Sequence, residues 1–218
     1  MALAIFDLDN TLIAGDSDHG WGEFLASRGK VDAANYRAMN EKFYRDYQQG
    51  RLDIHEYLAF ALEPLARLPR EELVALHREF MVAVIEPLWL PRAVQLVQHH
   101  RERGDRLMVI TSTNRFIAEP ICHRLGIRDL LATELAMADG RYTGAVDGVP
   151  TYRDGKVTRL RAWLDVEGES LAGSYFYSDS LNDLPLLEVV DHPVAVDPDE
   201  RLAAIAAERG WPVISLRD

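Results

Sequence analysis

From Pro91 onward the sequence alternates short apolar runs with amphipathic stretches, and this alternation restricts the fold more than any other feature. The spacing predicts helices over 93–103, 116–125, 155–164, 183–190 and 202–209, with Gly104 and Gly126 closing the first two. Between them, 106–111, 174–177, 193–196 and 211–215 read as strands, and 3–6 adds a strand at the N-terminus. Strand alternating with helix implies a parallel sheet covered by helices on both faces. The expected class is therefore α/β, a Rossmann-like three-layer core with a mainly parallel sheet. A further apolar run, 130–137, precedes Asp139-Gly140 and Asp147-Gly148, turn signals around a short hairpin.

Residues 18–85 have a different texture. Trp21, Phe24 and Leu25 stand at helical spacing, as do Tyr36, Met39, Phe43 and Tyr47. Tyr57, Leu58, Ala61, Leu62 and Leu65 form a third set, and Leu73, Leu76, Phe80 and Val84 a fourth. Four helices and no strand are predicted, with core packing as the role of the aromatic residues.

The chain has 218 residues, 24 Lys and Arg against 35 Asp and Glu, and a formal net charge of −11. An acidic surface argues against nucleic acid as a partner, since that needs a basic footprint. It leaves a small phosphate ester open, because a cation and one or two basic side chains neutralise a phosphate locally. Cys122 is the single cysteine, so an internal disulfide is excluded. The N-terminal apolar run is interrupted by Asp7 and too short for a secretory signal. No stretch approaches the roughly 20 apolar residues that span a bilayer. The expected location is the cytoplasm, with no membrane partner.

The chemistry-bearing residues stand at strand ends. Strand 3–6 runs into Asp7 and Asp9, two carboxylates that strand alternation points the same way. As a pair they call for a divalent cation, and a carboxylate there can also act as a nucleophile. Capping or turn formation is the plainer role for such a pair. The second strand ends in Thr111, Ser112, Thr113 and Asn114, where hydroxyls and free amides suit a phosphate oxygen or a helix cap. The third ends in Ser178-Asp179-Ser180-Leu181-Asn182-Asp183. Neighbouring strands would bring Asp7, Asp9 and Asp179 into an oxygen-only site suited to Mg²⁺, completed by waters and a phosphate oxygen.

Four segments in order, Phe6-Asp7-Leu8-Asp9-Asn10-Thr11, Ile110-Thr111-Ser112, Lys156, and Ser178 to Asp183, resemble the haloacid dehalogenase-like hydrolases over nearly the whole chain. The similarity is greatest to the phosphoserine phosphatase-like branch, which includes phosphoserine and histidinol-phosphate phosphatases. The resemblance implies a catalytic core of 1–15 and 88–218 and an inserted all-helical cap of 16–87. It implies an aspartyl-phosphate on Asp7 and acid–base work by Asp9. Thr111 would bond a phosphate oxygen, with Ser112 and Thr113 beside it. Lys156 would pair with the phosphate and Asp7, a role for which its neighbours Arg153 and Arg159 are less suited. Mg²⁺ would be held by Asp7, Asp179 and the backbone oxygen of Asp9, while Asn182 and Asp183 orient metal waters and Lys156. Ser178 replaces the usual glycine of its segment and is expected to be tolerated.

Substrate choice falls to the cap. Asp16 corresponds to the position that binds the substrate amine in phosphoserine phosphatases, and Asp18 is close by. Both also suit helix capping. Arg45 and Arg51 are candidates for a substrate carboxylate, and His19 and Trp21 are expected at the mouth. The favoured reading is a Mg²⁺-dependent phosphomonoesterase acting on histidinol phosphate. Phosphoserine hydrolysis and phosphotransfer to an alcohol are alternatives. A non-catalytic phosphate-binding protein is remote, because no reacting residue is missing. Oligomeric state, monomer or dimer, stays open.

Overall fold

In the computed structural model, which describes residues 2–217, strand β1 (Leu3–Phe6) leads into four helices. These are α1 (Ser17–Ser27), α2 (Ala33–Gln48), α3 (Ile54–Arg67) and α4 (Arg70–Phe80), the last continuing through a π-helical turn, Met81–Ile85. Asp16, Asp32 and Asp53 start the first three, each accepting a backbone N–H that the helix leaves unpaired. The alternating part follows with α5 (Pro91–Glu102), β2 (Arg106–Asn114), α6 (Arg115–Arg124) and β3 (Asp129–Thr133). A hairpin of β4 (Leu135–Ala138) and β5 (Arg141–Val146) comes next, then α7 (Asp154–Glu167) and β6 (Tyr175–Ser178). The chain ends with α8 (Leu184–Leu187), β7 (His192–Val196), α9 (Glu200–Arg209) and β8 (Val213–Ile214).

Six strands form one parallel sheet in the order β3-β2-β1-β6-β7-β8. The period of two in β1 sorts its side chains between the layers. Ala4 and Phe6 join a core shared with α5, α6 and the helical insertion, whereas Leu3 and Ile5 pack with α7, α8 and α9. The three-layer α/β architecture expected from the alternation is thus what the chain adopts. β1 sits between β2 and β6, so the carboxyl ends of the three strands meet at one edge.

Three local expectations change. The run 130–137 is not one strand. It breaks at Glu134, whose carboxylate is held by Arg115 and Arg159, and β4 leaves the main sheet to pair antiparallel with β5. Asp139 and Gly140 turn that hairpin with φ of +49° and +77°, the left-handed pair an Asp-Gly turn supplies. Second, β2 runs on to Asn114, because a register shift lets Asn114 pair with Thr133. Third, the helix expected over 183–190 shrinks to Leu184–Leu187 behind a 3₁₀ turn, Leu181–Asp183. Pro185 is tolerated only in a first turn, and Asp183 is pinned by its own side chain as described below.

Candidate active site

β1 delivers two carboxylates to the edge where the strands meet. Asp7 continues the pairing, its N–H donating to the Tyr177 carbonyl at 2.9 Å, and it is 3% exposed. Asp9 accepts from the Ser17 amide at 2.6 Å through Oδ1 and from the Thr113 hydroxyl at 2.7 Å through Oδ2. Thr113 therefore orients Asp9, and it lines the same cavity. The Thr111 Oγ1 accepts the Thr113 amide at 3.2 Å, which keeps the Thr111 hydroxyl hydrogen for a substrate oxygen. Thr111 and Ser112 line the same cavity as both aspartates. Thr11 fastens β1 to β6: its hydroxyl donates to Asp179 Oδ1 at 3.2 Å and accepts the Asp179 amide at 3.1 Å.

Lys156 enters from α7 and is fully buried. Its Nζ donates to Asp7 Oδ1 at 2.8 Å and approaches Asp183 Oδ1 at 2.7 Å. Gly155 makes this possible, since a Cβ there would lie 2.1 Å from the Pro150 carbonyl oxygen. The Ser178 hydroxyl donates to Asp183 Oδ2 at 2.7 Å and accepts the Ser180 amide at 3.1 Å. Ser178 is thus a working part of the site, a role that reading its position as a tolerated glycine replacement missed.

Burial dominates the electrostatics. It pushes the Asp7 carboxyl up to about 7, with Asp183 and Asp9 adding to the rise and Lys156 opposing it. Burial and the Asp16 charge raise Asp9 to about 6, against the hydrogen bonds from Ser17 and Thr113. Burial likewise lifts Asp16 and Asp18 to about 7. Asp179 is raised well above the usual carboxylate range, by burial first and the Asp7 charge second. For Lys156 burial pulls the other way, but Asp183 and Asp7 outweigh it and the ammonium stays charged.

The lining of the cavity also includes Asp16, Asp18, His19, Tyr44, Tyr47 and Tyr57. Asp16 caps α1 by accepting the His19 amide at 2.8 Å, and it also lines the cavity. Asp18 Oδ2 accepts the Tyr57 hydroxyl at 2.7 Å. The expected arginines are elsewhere. Arg45 is exposed outside the lining, and Arg51 is exposed and paired with Asp46 at 2.9 Å. Trp21 is not at the mouth; it is 2% exposed and packs among Phe24, Phe80 and Phe116. Asn182 also departs from expectation. Its Nδ2 donates to the Tyr47 carbonyl at 3.0 Å, and its Oδ1 accepts from Tyr152 at 3.1 Å and Arg153 at 3.2 Å. It therefore ties α2 to the sheet edge, while Asp183 alone reaches Lys156. Arg159 binds the Ala132 carbonyl, Thr151 and Glu134, outside the reacting group.

The donor set suits a hard cation. Asp7 and Asp183 share the one buried ammonium of Lys156, while Asp9, Asp16 and Asp179 add nearby negative charge with no cation of their own among the described residues, an excess that a divalent ion relieves. Among the described residues no three acidic, histidine or cysteine side chains converge to hold a metal by themselves. The expected set needs only two, Asp7 and Asp179, with the Asp9 carbonyl as third protein ligand.

Residues 4–188 match the model of the haloacid dehalogenase-like hydrolases. Over 219 aligned residues, and 99% of both chains, the sequence is 54% identical to a histidinol-phosphatase of Neisseria meningitidis serogroup C. A solved structure of a Bordetella pertussis protein of unknown function is 44% identical, with a TM-score of 0.93 over 99% of this chain and 98% of that one. A phospho-aspartyl intermediate analogue of phosphoserine phosphatase, 19% identical, shares the fold at a TM-score of 0.72, covering 99% of this chain and 93% of the other.

Proposed function

The chain belongs to the haloacid dehalogenase-like hydrolases and is a phosphatase, and from that premise we propose that it hydrolyses histidinol phosphate through an aspartyl-phosphate on Asp7. One observation supports this substrate most. The cavity beyond the phosphate end is lined by Asp16 and Asp18 and by no lysine or arginine among the described residues. Histidinol phosphate has an amine and an imidazole and no carboxylate. Phosphoserine has a carboxylate as well, which would face two acids with no cation to receive it. The name of the 54% identical relative agrees.

In the proposed reaction Asp7 attacks phosphorus and the ester P–O bond breaks. Asp9, aimed by Ser17 and Thr113, gives its proton to the departing alcohol oxygen. It then takes a proton from the water that attacks the aspartyl-phosphate, and inorganic phosphate leaves. A carboxyl near 6 suits both directions of transfer at neutral pH. Lys156 and Thr111 neutralise and orient the phosphoryl oxygens. Mg²⁺, when bound by Asp7, Asp179 and the Asp9 carbonyl, supplies positive charge that offsets the repulsion between carboxylate and phosphate ester. Residues 16–87 act as a lid in this reading.

The test is a comparison of kcat/KM for histidinol phosphate and phosphoserine with Mg²⁺ present. Histidinol phosphate should be favoured by at least tenfold. A preference for phosphoserine would overturn the reading.

A further inference from the structure

The lid end of the cavity holds polar groups that neither hydrolysis nor amine binding uses. Asp18 is fixed by the Tyr57 hydroxyl at Oδ2, while Oδ1 has only a long 3.5 Å contact from the Asn114 amide. That oxygen keeps capacity to accept a hydrogen bond. The His19 ring, also in the cavity lining, lies flat against Tyr44, centroids 4.6 Å apart and planes 28° apart. His19 is held in place through its backbone: the amide donates to Asp16 and the carbonyl accepts from Asn40 Nδ2 at 3.0 Å. Its Nδ1 is buried and has no hydrogen-bond partner. A buried, unpaired polar nitrogen is costly unless a ligand completes it. Phe43, Leu52 and Ile54 close the walls with apolar surface.

These features match one kind of group. An aromatic stack and apolar walls suit a flat ring, and a carboxylate oxygen with spare capacity and an unpaired imidazole nitrogen on residues of the same cavity lining suit ring nitrogens that donate or accept. We propose that Asp18, held by Tyr57, and the His19–Tyr44 stack form a subsite for a nitrogen heteroaromatic ring on the substrate. Asp18 accepts the ring N–H, and the stack sets the plane of the ring. The subsite is separate from Asp16, which faces the amine. It deepens, and rests on, the reading of histidinol phosphate as substrate.

The experiment compares histidinol phosphate with 2-aminopropyl phosphate, which carries the amine without the ring. Asp18→Asn should lower kcat/KM for histidinol phosphate at least tenfold, the scale of one charged hydrogen bond, and lower that for 2-aminopropyl phosphate by a factor several times smaller. Tyr57→Phe should shift the ratio of the two in the same direction, by a smaller factor. It decides by the same criterion if thermal melting shows Asp18→Asn to be misfolded. Equal losses on both substrates would overturn the subsite and leave the hydrolysis of histidinol phosphate standing. A wild-type enzyme with no preference for histidinol phosphate over 2-aminopropyl phosphate would overturn the substrate reading, and the subsite with it.

Discussion

Asp7→Asn keeps the shape of the side chain and removes the nucleophilic charge. Because burial already disfavours the Asp7 carboxylate, and Lys156 keeps Asp183 as a partner, the variant should fold normally with an unchanged or higher Tm. Turnover should fall below a tenth of wild type, one decade being about 1.4 kcal/mol of barrier. Melting curves and initial rates on one preparation check both halves, and retained activity would remove Asp7 from the nucleophile's place. Asp9, Thr111, Asp179 and Asp183 were legible because each stands at or next to a strand end in a short acidic or hydroxyl segment, whereas Lys156, on α7, was expected only from the family resemblance. What was not legible is pairing across long sequence separations. Thr11 meets Asp179 168 residues away and Asn182 meets Tyr47 135 residues away. Nothing local in the sequence distinguishes such an asparagine from one that orients water. Tyr57 was read as core spacing, and its hydroxyl on Asp18 shows that a helical stripe can also carry a polar function.

At the scale of elements, the carboxyl end of α2 is where the insertion is fastened to the sheet edge. Three side chains donate to its carbonyls: Asn182 to Tyr47, Arg201 to Gln49 at 3.1 Å, and Arg153 to Gly50. Arg153 and Asn182 stand close in sequence to Lys156 and Asp183 respectively, whereas Arg201 is close to neither and is exposed, so it can be removed with little disturbance of the reacting residues. Arg201→Ala should weaken the fastened state by about 1 kcal/mol, the net worth of a typical hydrogen bond, which is a roughly fivefold change in its equilibrium. Hydrogen exchange should then quicken in residues 44–51 and stay unchanged in β1 and β6. Uniform acceleration, or none, would show that the contact does not hold the lid. The helices of the insertion were readable from the helical spacing of their apolar residues, and in the structure aspartates at positions 16, 32 and 53 cap the first three. The break at Glu134 was not, since apolar residues on both sides hide it and only the distant Arg115 and Arg159 explain it.

For the whole molecule, the clustered carboxylates make stability depend on pH and cation together. Asp7, Asp16 and Asp18 sit near 7 and Asp9 near 6 in the folded protein, against 3.8 when unfolded. The folded state therefore binds more protons than the unfolded state between those values. By linkage this contribution is complete below about pH 4 and is lost as pH rises through 6 and 7. Asp105 and Glu134 act oppositely. Burial raises each, but His100 in one case and Arg115 and Arg159 in the other hold them below the ordinary carboxylate range. Their stabilisation is present above that range and lost on acidification. Without metal, the Tm should accordingly peak on the acid side of neutrality and fall from about pH 5 to pH 8, by about 2–4 °C for each kcal/mol lost in a chain of this size. A divalent cation binds the deprotonated carboxylates and so should reverse the trend. The rise in Tm produced by Mg²⁺ should be larger at pH 8 than at pH 5.5 and should disappear with EDTA. Melting the protein at both pH values, with Mg²⁺ and with EDTA, needs no substrate and is independent of turnover. If the Mg²⁺-induced rise were absent at pH 8, or equal at the two pH values, the carboxylates at the ends of β1 and β6 would not be the cation's ligands.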